Sequence, residues 1–282
     1  MSKYTFLITA LYLFSCNNLN EDPNAPEKPV WVEKSQPDQP VELGIDSDNA
    51  IGDGIVLMWH ANSESDLAGY NIYRGQQAGE SNIEYANIAS IDIFKDFEFD
   101  TLYFDENTSS YVDYYYYLTA ENLFGKESNP SDTISYKLLK ASTPLSPTGT
   151  IADSIPIFRW IDNVANFEYS NEFVIRVELS NENYMEPIWV CRFYNQWFGY
   201  ENSIPISFLF FPAMGTWTDN TTSEPNLHPN APSNVISCYG ITTVMGNGTY
   251  RWKVKAISQV NNETGIDESS SETGWSYFNI TY

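Results

Sequence analysis

The residues able to do chemistry in this chain are mostly carboxylates. Asp46, Asp48 and Asp53 fall close together around Gly52, and three neighbouring carboxylates supply the hard oxygen ligands that Ca²⁺ prefers. Their spacing departs from that of an EF-hand, so an acidic turn is the simpler expectation and a Ca²⁺ site the weaker alternative. The two histidines, His60 and His228, belong to no HExxH or other ligand-spaced cluster and give no support to metal or triad chemistry. His60 is expected on the solvent face of a strand and His228 in a loop. The chain has no GxSxG, no phosphate-cradling glycine loop and no dinucleotide fingerprint. Its 37 acidic residues contain many pairs that could act as acid and base. Such pairs are defined by separation in space, so an enzyme working through carboxylates stays a remote alternative and no catalytic residue is assigned. The three cysteines lack the CxxC spacing of a zinc ribbon, and no cofactor is expected beyond the weak Ca²⁺ candidate.

The second source of chemistry is aromatic. Between Trp189 and Cys238 lie Phe193, Tyr194, Trp197, Phe198, Tyr200, the run Phe208 to Phe211, and Trp217. Exposed Trp and Tyr rings stack on sugar faces or anchor protein interfaces. Trp197, Tyr200 and Trp217, which have polar or turn-forming neighbours, are the ligand-binding candidates. The competing reading is that these rings fill an enlarged core.

These side chains must be positioned by strands. Aromatic residues make up 16% of the chain, with 20 Tyr and 8 Trp, and flat rings suit a pleated, half-buried surface. Apolar residues alternate with polar or outward-facing ones in Ile55–Trp59, Tyr70–Tyr73 and Tyr114–Ala120, and a period of two means strands. Turn-forming clusters separate these runs, and no helical period competes. At 282 residues the chain has room for two ordinary domains. The net charge of −23 repels phosphate backbones and excludes nucleic acid as a partner.

The chain opens with one Lys, a short apolar run and then Ser15–Cys16. That run is too short to span a bilayer as a helix and has the form of an export signal. Leu13, Ser15 and Cys16 resemble a bacterial lipobox, which implies that Cys16 is acylated and begins the mature chain. The alternatives are an ordinary cleaved signal or an uncleaved anchor. With Cys16 lipidated, Cys191 and Cys238 remain as a pair in an oxidising compartment, where a disulfide is expected. Residues 17–28, rich in Asn, Pro and acids, cannot bury enough surface to fold and read as a flexible tether.

Residues 29–139 carry GIVLMWHANSESDLAGYNIYRG and YFDENTSSYVDYYYYLTAENLFGKESNPS, and they resemble a fibronectin type III domain. The resemblance implies structural roles for Trp59, packed between two sheets, and for Tyr114 at the tyrosine corner. A linker is expected at 140–148. Residues 149–282 repeat the frame more loosely, with Trp160 in the place of Trp59 and Tyr250 in the place of Tyr114. In the strand Tyr250–Ala256 the residues Tyr250, Trp252, Val254 and Ala256 face a core, while Arg251, Lys253 and Lys255 are expected in water. Trp59 and Tyr114 are 55 positions apart and Trp160 and Tyr250 are 90 apart, so the second copy holds the aromatic-rich insertion.

The expected architecture is all-β, with two immunoglobulin-like (fibronectin type III-like) sandwiches in tandem. The expected function is that of a non-catalytic lipoprotein of the cell envelope, placed at the outer membrane or cell surface. It would be held to the membrane by its lipid anchor and act as an adhesion, scaffold or binding module toward a protein or glycan. A carbohydrate-binding accessory for polysaccharide capture is the alternative.

Overall fold

The computed structural model describes residues 25–39, 41–48, 53–78, 82–95, 101–154, 156–163, 170–180, 184–195, 205–209, 235–240 and 245–282. Cys16, Trp197, Tyr200, Trp217 and His228 lie outside them, as does the tether up to residue 24. All regular structure among the described residues is β. The earlier strands are β1 (Val30–Trp31), β2 (Asp46–Asp48), β3 (Gly54–His60), β4 (Leu67–Ala78), β5 (Asn82–Asp92), β6 (Leu102–Asp105), β7 (Asp113–Asn122) and β8 (Ile134–Leu138). They are followed by β9 (Thr143–Ser146), β10 (Gly149–Ile151), β11 (Ile157–Ile161), β12 (Glu172–Ser180), β13 (Met185–Tyr194), β14 (Pro205–Leu209), β15 (Val235–Gly240), β16 (Gly248–Val260), β17 (Asp267–Glu272) and β18 (Ser276–Ile280).

Two apolar cores organise these strands. In the first, β1, β2 and β6 all pair with β3, and this sheet faces the run β8-β7-β4-β5. Period-two alternation points Ile55, Leu57 and Trp59 of β3 at Tyr70 and Ile72 of β4 and at Tyr114, Tyr116, Leu118 and Ala120 of β7, in one buried cluster. Trp59 packs edge-on against Tyr70 at 5.3 Å and against Trp31 at 6.4 Å. Burying each such ring removes on the order of 150–250 Å² from water, which makes the aromatics the main source of core stability.

The second core lies between β9-β11-β14 and the run β15-β13-β12-β16. Phe158 stacks on Trp189 at 6.0 Å and meets Trp252 edge-on at 5.2 Å, while Trp160 meets Phe173 edge-on at 5.2 Å. Thr143–Ser146, which the prolines mark as linker, instead forms β9 and pairs with β11. The Trp252 indole then donates to the Pro147 carbonyl at 3.0 Å, tying that stretch to the core. Strand β16 serves two partners in turn, β18 along Gly248–Trp252 and β17 along Lys255–Val260.

The two units are not strung apart on a spacer. Strand β17 also pairs, in parallel, with β8 of the first unit (Ser269 with Lys137, Ser270 with Leu138). One 11-stranded sheet therefore runs through both units. The run Ser269-Ser270-Ser271 suits this junction: its small side chains are buried, and the hydroxyls of Ser270 and Ser271 bridge polar groups where a larger apolar residue would hold the layers apart.

Candidate functional site: a buried ionic seam

Beside that junction, residues 34–39 and 41–46 leave the first unit and cross the outer face of the second unit's sheet. Gln36 donates to the Thr264 carbonyl at 2.7 Å, Arg176 donates to the Gln39 carbonyl at 2.7 Å, and Ser237 hydrogen-bonds Asp38. This strap turns the outer face of β16 from a wet surface into an interior. Lys253 and Lys255, expected in water from their alternation, are covered, and Lys255 is only 1% exposed.

Burying an ammonium is costly unless it is paired and hydrogen-bonded, and the strap supplies the partners. The Lys255 ammonium lies 2.5 and 2.6 Å from the two Asp46 oxygens, 3.2 Å from Glu42 and 3.6 Å from Asp267. Lys34 reaches Asp46 at 3.1 Å and Asp267 at 3.4 Å. Lys253 pairs with Glu272 at 2.6 Å and Glu42 at 3.4 Å, and Arg176 lies 3.7 Å from Glu42. The Tyr136 hydroxyl, from β8, donates to Asp267, and its oxygen lies 2.6 Å from that of Ser270. Ser270 in turn meets Ser47 at 2.7 Å. Four cations thus interleave with four carboxylates across the junction.

The protonation states follow from this crowding. Burial opposes charge on Lys255, but Asp267, Asp46 and Glu42 outweigh it and hold the ammonium well above the usual lysine range. Burial likewise opposes ionisation of Asp267, yet Lys255, Lys34 and the Tyr136 hydrogen bond bring it down to about 2. Glu42 and Glu272 share Lys253, and the two carboxyls part company. Glu42 is held well below its ordinary value, against burial, by Lys255, Lys253, Arg176 and Lys34. Glu272 is pushed up to about 8 by burial and by Glu42.

Glu42, Asp46, Asp48, Arg176, Lys253 and Trp275 also line a cleft of about 270 Å³ that opens from the seam to solvent. Trp275 lies under Arg251 at 4.0 Å and Lys253 at 5.0 Å, geometry that fixes both cations. Chemically the seam is a clamp: each charge is met by a fixed partner.

The sequence-derived candidates fall as follows. The Ca²⁺ candidate is corrected, because Asp46 is engaged by Lys255 and Lys34 and is not available as a ligand. Asp46 and Asp48 sit in β2 while Asp53 lies exposed beyond it, and no group of three metal-ligating side chains occurs among the described residues. Cys191 and Cys238 are directly opposed on β13 and β15. In the structure the two are free, buried thiols. Burial, with Cys238 and Asp38 nearby, pushes the Cys191 thiol well up, which keeps it protonated. The Tyr114 hydroxyl accepts from the Ser109 N–H at 2.8 Å, and the Tyr250 hydroxyl donates to the Gly246 carbonyl at 2.8 Å. Trp59 and Trp160 are buried in the two cores. His60 is exposed at the end of β3.

Sequence reasoning missed the seam residues Lys34, Glu42, Asp267 and Glu272. One signal was available. The chain has only 14 Lys and Arg, and three of them, Arg251, Lys253 and Lys255, occupy one face of a single strand. Such a stripe in an acidic chain calls for carboxylate partners. No family model and no curated protein matches the chain. Among solved structures it is similar to the FN1–FN3 domains of chicken CNTN1, with a TM-score of 0.25 and 12% sequence identity over 91% of this chain and 67% of that chain.

Proposed function

We propose that the chain is a non-catalytic lipoprotein of the cell envelope in which two fibronectin type III-like sandwiches form one stiff body. It acts as a scaffold or adhesion module and binds protein or glycan at the cell surface. The observation that supports this reading is the ionic seam with its shared sheet. Domains joined by a free linker reorient by default, whereas a spacer must keep a binding surface at a fixed distance and angle from its anchor. Within this reading Cys16 carries the acyl chains, residues 17–28 are the tether, and several chains on one cysteine exceed the weak hold of a single myristoyl group. The order of β1, β3 and β6 against β8-β7-β4-β5, closed by the Tyr114 tie, supports the fibronectin-like assignment of the first unit.

The test is the intact mass of the chain extracted from membranes, compared with a Cys16→Ser variant. The expected result is an acylated mature chain beginning at Cys16, and a variant that leaves the membrane fraction. An unacylated chain in the soluble fraction would remove the anchor from the proposal.

A further inference from the structure

The outer face of β4, β5 and β7 carries an arrangement that the seam does not use. Tyr73 and Tyr117 are direct cross-strand partners whose rings stack 4.6 Å apart at 15°, and Tyr85 leans on Tyr117 at 4.9 Å. Gly75 makes this possible. A Cβ there would meet the Tyr85 ring at 2.8 Å and Ile83 at 2.5 Å, so the ring lies over bare backbone. On the same face Glu121 and Glu127 stand opposite one another in an antiparallel bridge.

Like charges directly opposite one another destabilise a sheet. Here only neutral donors compensate them. Asn71 Nδ2 donates to Glu121 at 3.1 Å and to Glu127 at 2.9 Å, Thr119 Oγ1 donates to Glu127 at 3.0 Å, and the Tyr73 hydroxyl lies 3.4 Å from Glu127. Among the described residues no Lys or Arg is ion-paired with either carboxylate. Beside Glu121 a hollow of about 200 Å³ opens, floored by Gly69 and rimmed by Asn71, Ser90 and Asp92.

We propose that this face docks a basic segment of a protein partner, with an arginine or lysine side chain set against Glu121 and Glu127 and lying along the Tyr73 and Tyr117 rings. Charge complementarity selects this occupant. The local donors already point at the carboxylates, so the face offers the negative faces of tyrosine rings and acceptor oxygens that lack a cation. Arginine, with its planar donor fork, engages a carboxylate and an aromatic face together. The charge of −23 draws such a segment in from solution. None of this depends on how the chain is anchored.

The test is titration of the whole chain with a tetra-arginine peptide, followed by calorimetry and by the tyrosine ring resonances. The rings of Tyr73, Tyr85 and Tyr117 should shift saturably. Tyr117→Ala, which leaves the charge unchanged, should weaken binding about fivefold. Glu121→Gln should weaken it about as much, and this conservative variant carries the test if Tyr117→Ala folds poorly. Glu263→Gln, the same charge change on the exposed turn after β16, should leave it unchanged. Equal losses in Glu121→Gln and Glu263→Gln would reduce the effect to the overall field and overturn the proposal. It would also be overturned if a neutral oligosaccharide such as cellohexaose shifted these rings and tetra-arginine did not.

Discussion

Replacing Lys255 by Met gives the sharpest test of the seam. The side chain is 1% exposed and its ammonium is met by Asp46, Glu42 and Asp267. Met keeps most of the volume and removes the charge, so the change isolates electrostatics from packing. Asp46 would retain Lys34 at 3.1 Å, and Glu42 would retain Lys253 at 3.4 Å and Arg176 at 3.7 Å. Asp46 would lose the closer of its two lysines, and the buried Asp267 would be left with Lys34 at 3.4 Å. Removing one partner of a buried pair costs about 3–5 kcal/mol, because the other charge is left without compensation. Urea denaturation followed by tryptophan fluorescence reads this directly, since both cores contain buried Trp. The wild type should unfold in one transition, as a shared sheet requires. Lys255→Met should lose stability on that scale and separate the transitions of the two units. The double change Lys255→Met with Asp46→Leu should recover part of the loss, with a coupling of about 1–3 kcal/mol. A loss below about 1 kcal/mol in the single variant is what a solvent-screened surface pair gives. That result would refute the reading of the seam as a dry clamp.

The remaining tests concern pH, thiols and the loop tie. Glu272 has its carboxyl raised from 4.5 to about 8 in the folded protein, so between those values the native state holds a proton that the unfolded state has released. Stability should therefore fall as pH rises through that window. Asp267, lowered from 3.8 to about 2, acts in the opposite sense and loses its contribution as pH falls through that lower range. Melting temperature against pH should peak near the ordinary carboxylate range, and Glu272→Gln should flatten the decline on the alkaline side. A profile unchanged by Glu272→Gln would contradict this assignment. Cys191 and Cys238, 0% and 5% exposed, should resist maleimide in the folded protein and both react in urea; rapid native labelling would show the thiol pair to be open. Tyr114→Phe removes the acceptor for the Ser109 N–H and should cost about 1 kcal/mol, read as a shift in urea midpoint at constant slope.

The sequence made the strands legible and left their outer surroundings dark, for a physical reason. Period-two alternation is a local property, so it identified Ile55–Trp59 and Tyr114–Ala120 as strands and put Tyr250, Trp252, Val254 and Ala256 on the core side of β16. The same alternation states only that Lys253 and Lys255 lie on the other side. Whether that side meets water depends on a contact between positions more than 200 apart in the chain, and no local pattern carries it. The Asp46 region shows the cost of reading such residues locally. Three nearby acids suggest a cation, and a cation is indeed bound there, but it is the Lys255 ammonium of the other unit. The Ser269–Ser271 run offers no apolar alternation to read, yet it lies in the strand that pairs with β8 and joins the two units. The proline-marked stretch at 140–148 errs in the opposite direction: proline is tolerated at a sheet edge, and among the described residues β9 is an edge strand paired with β11. In each instance the deciding partner is supplied by the other unit or by a distant strand. The residues that weld the two sandwiches are therefore the ones for which composition and periodicity are least informative, and a charge stripe on one strand face is the cue most worth following to its partner.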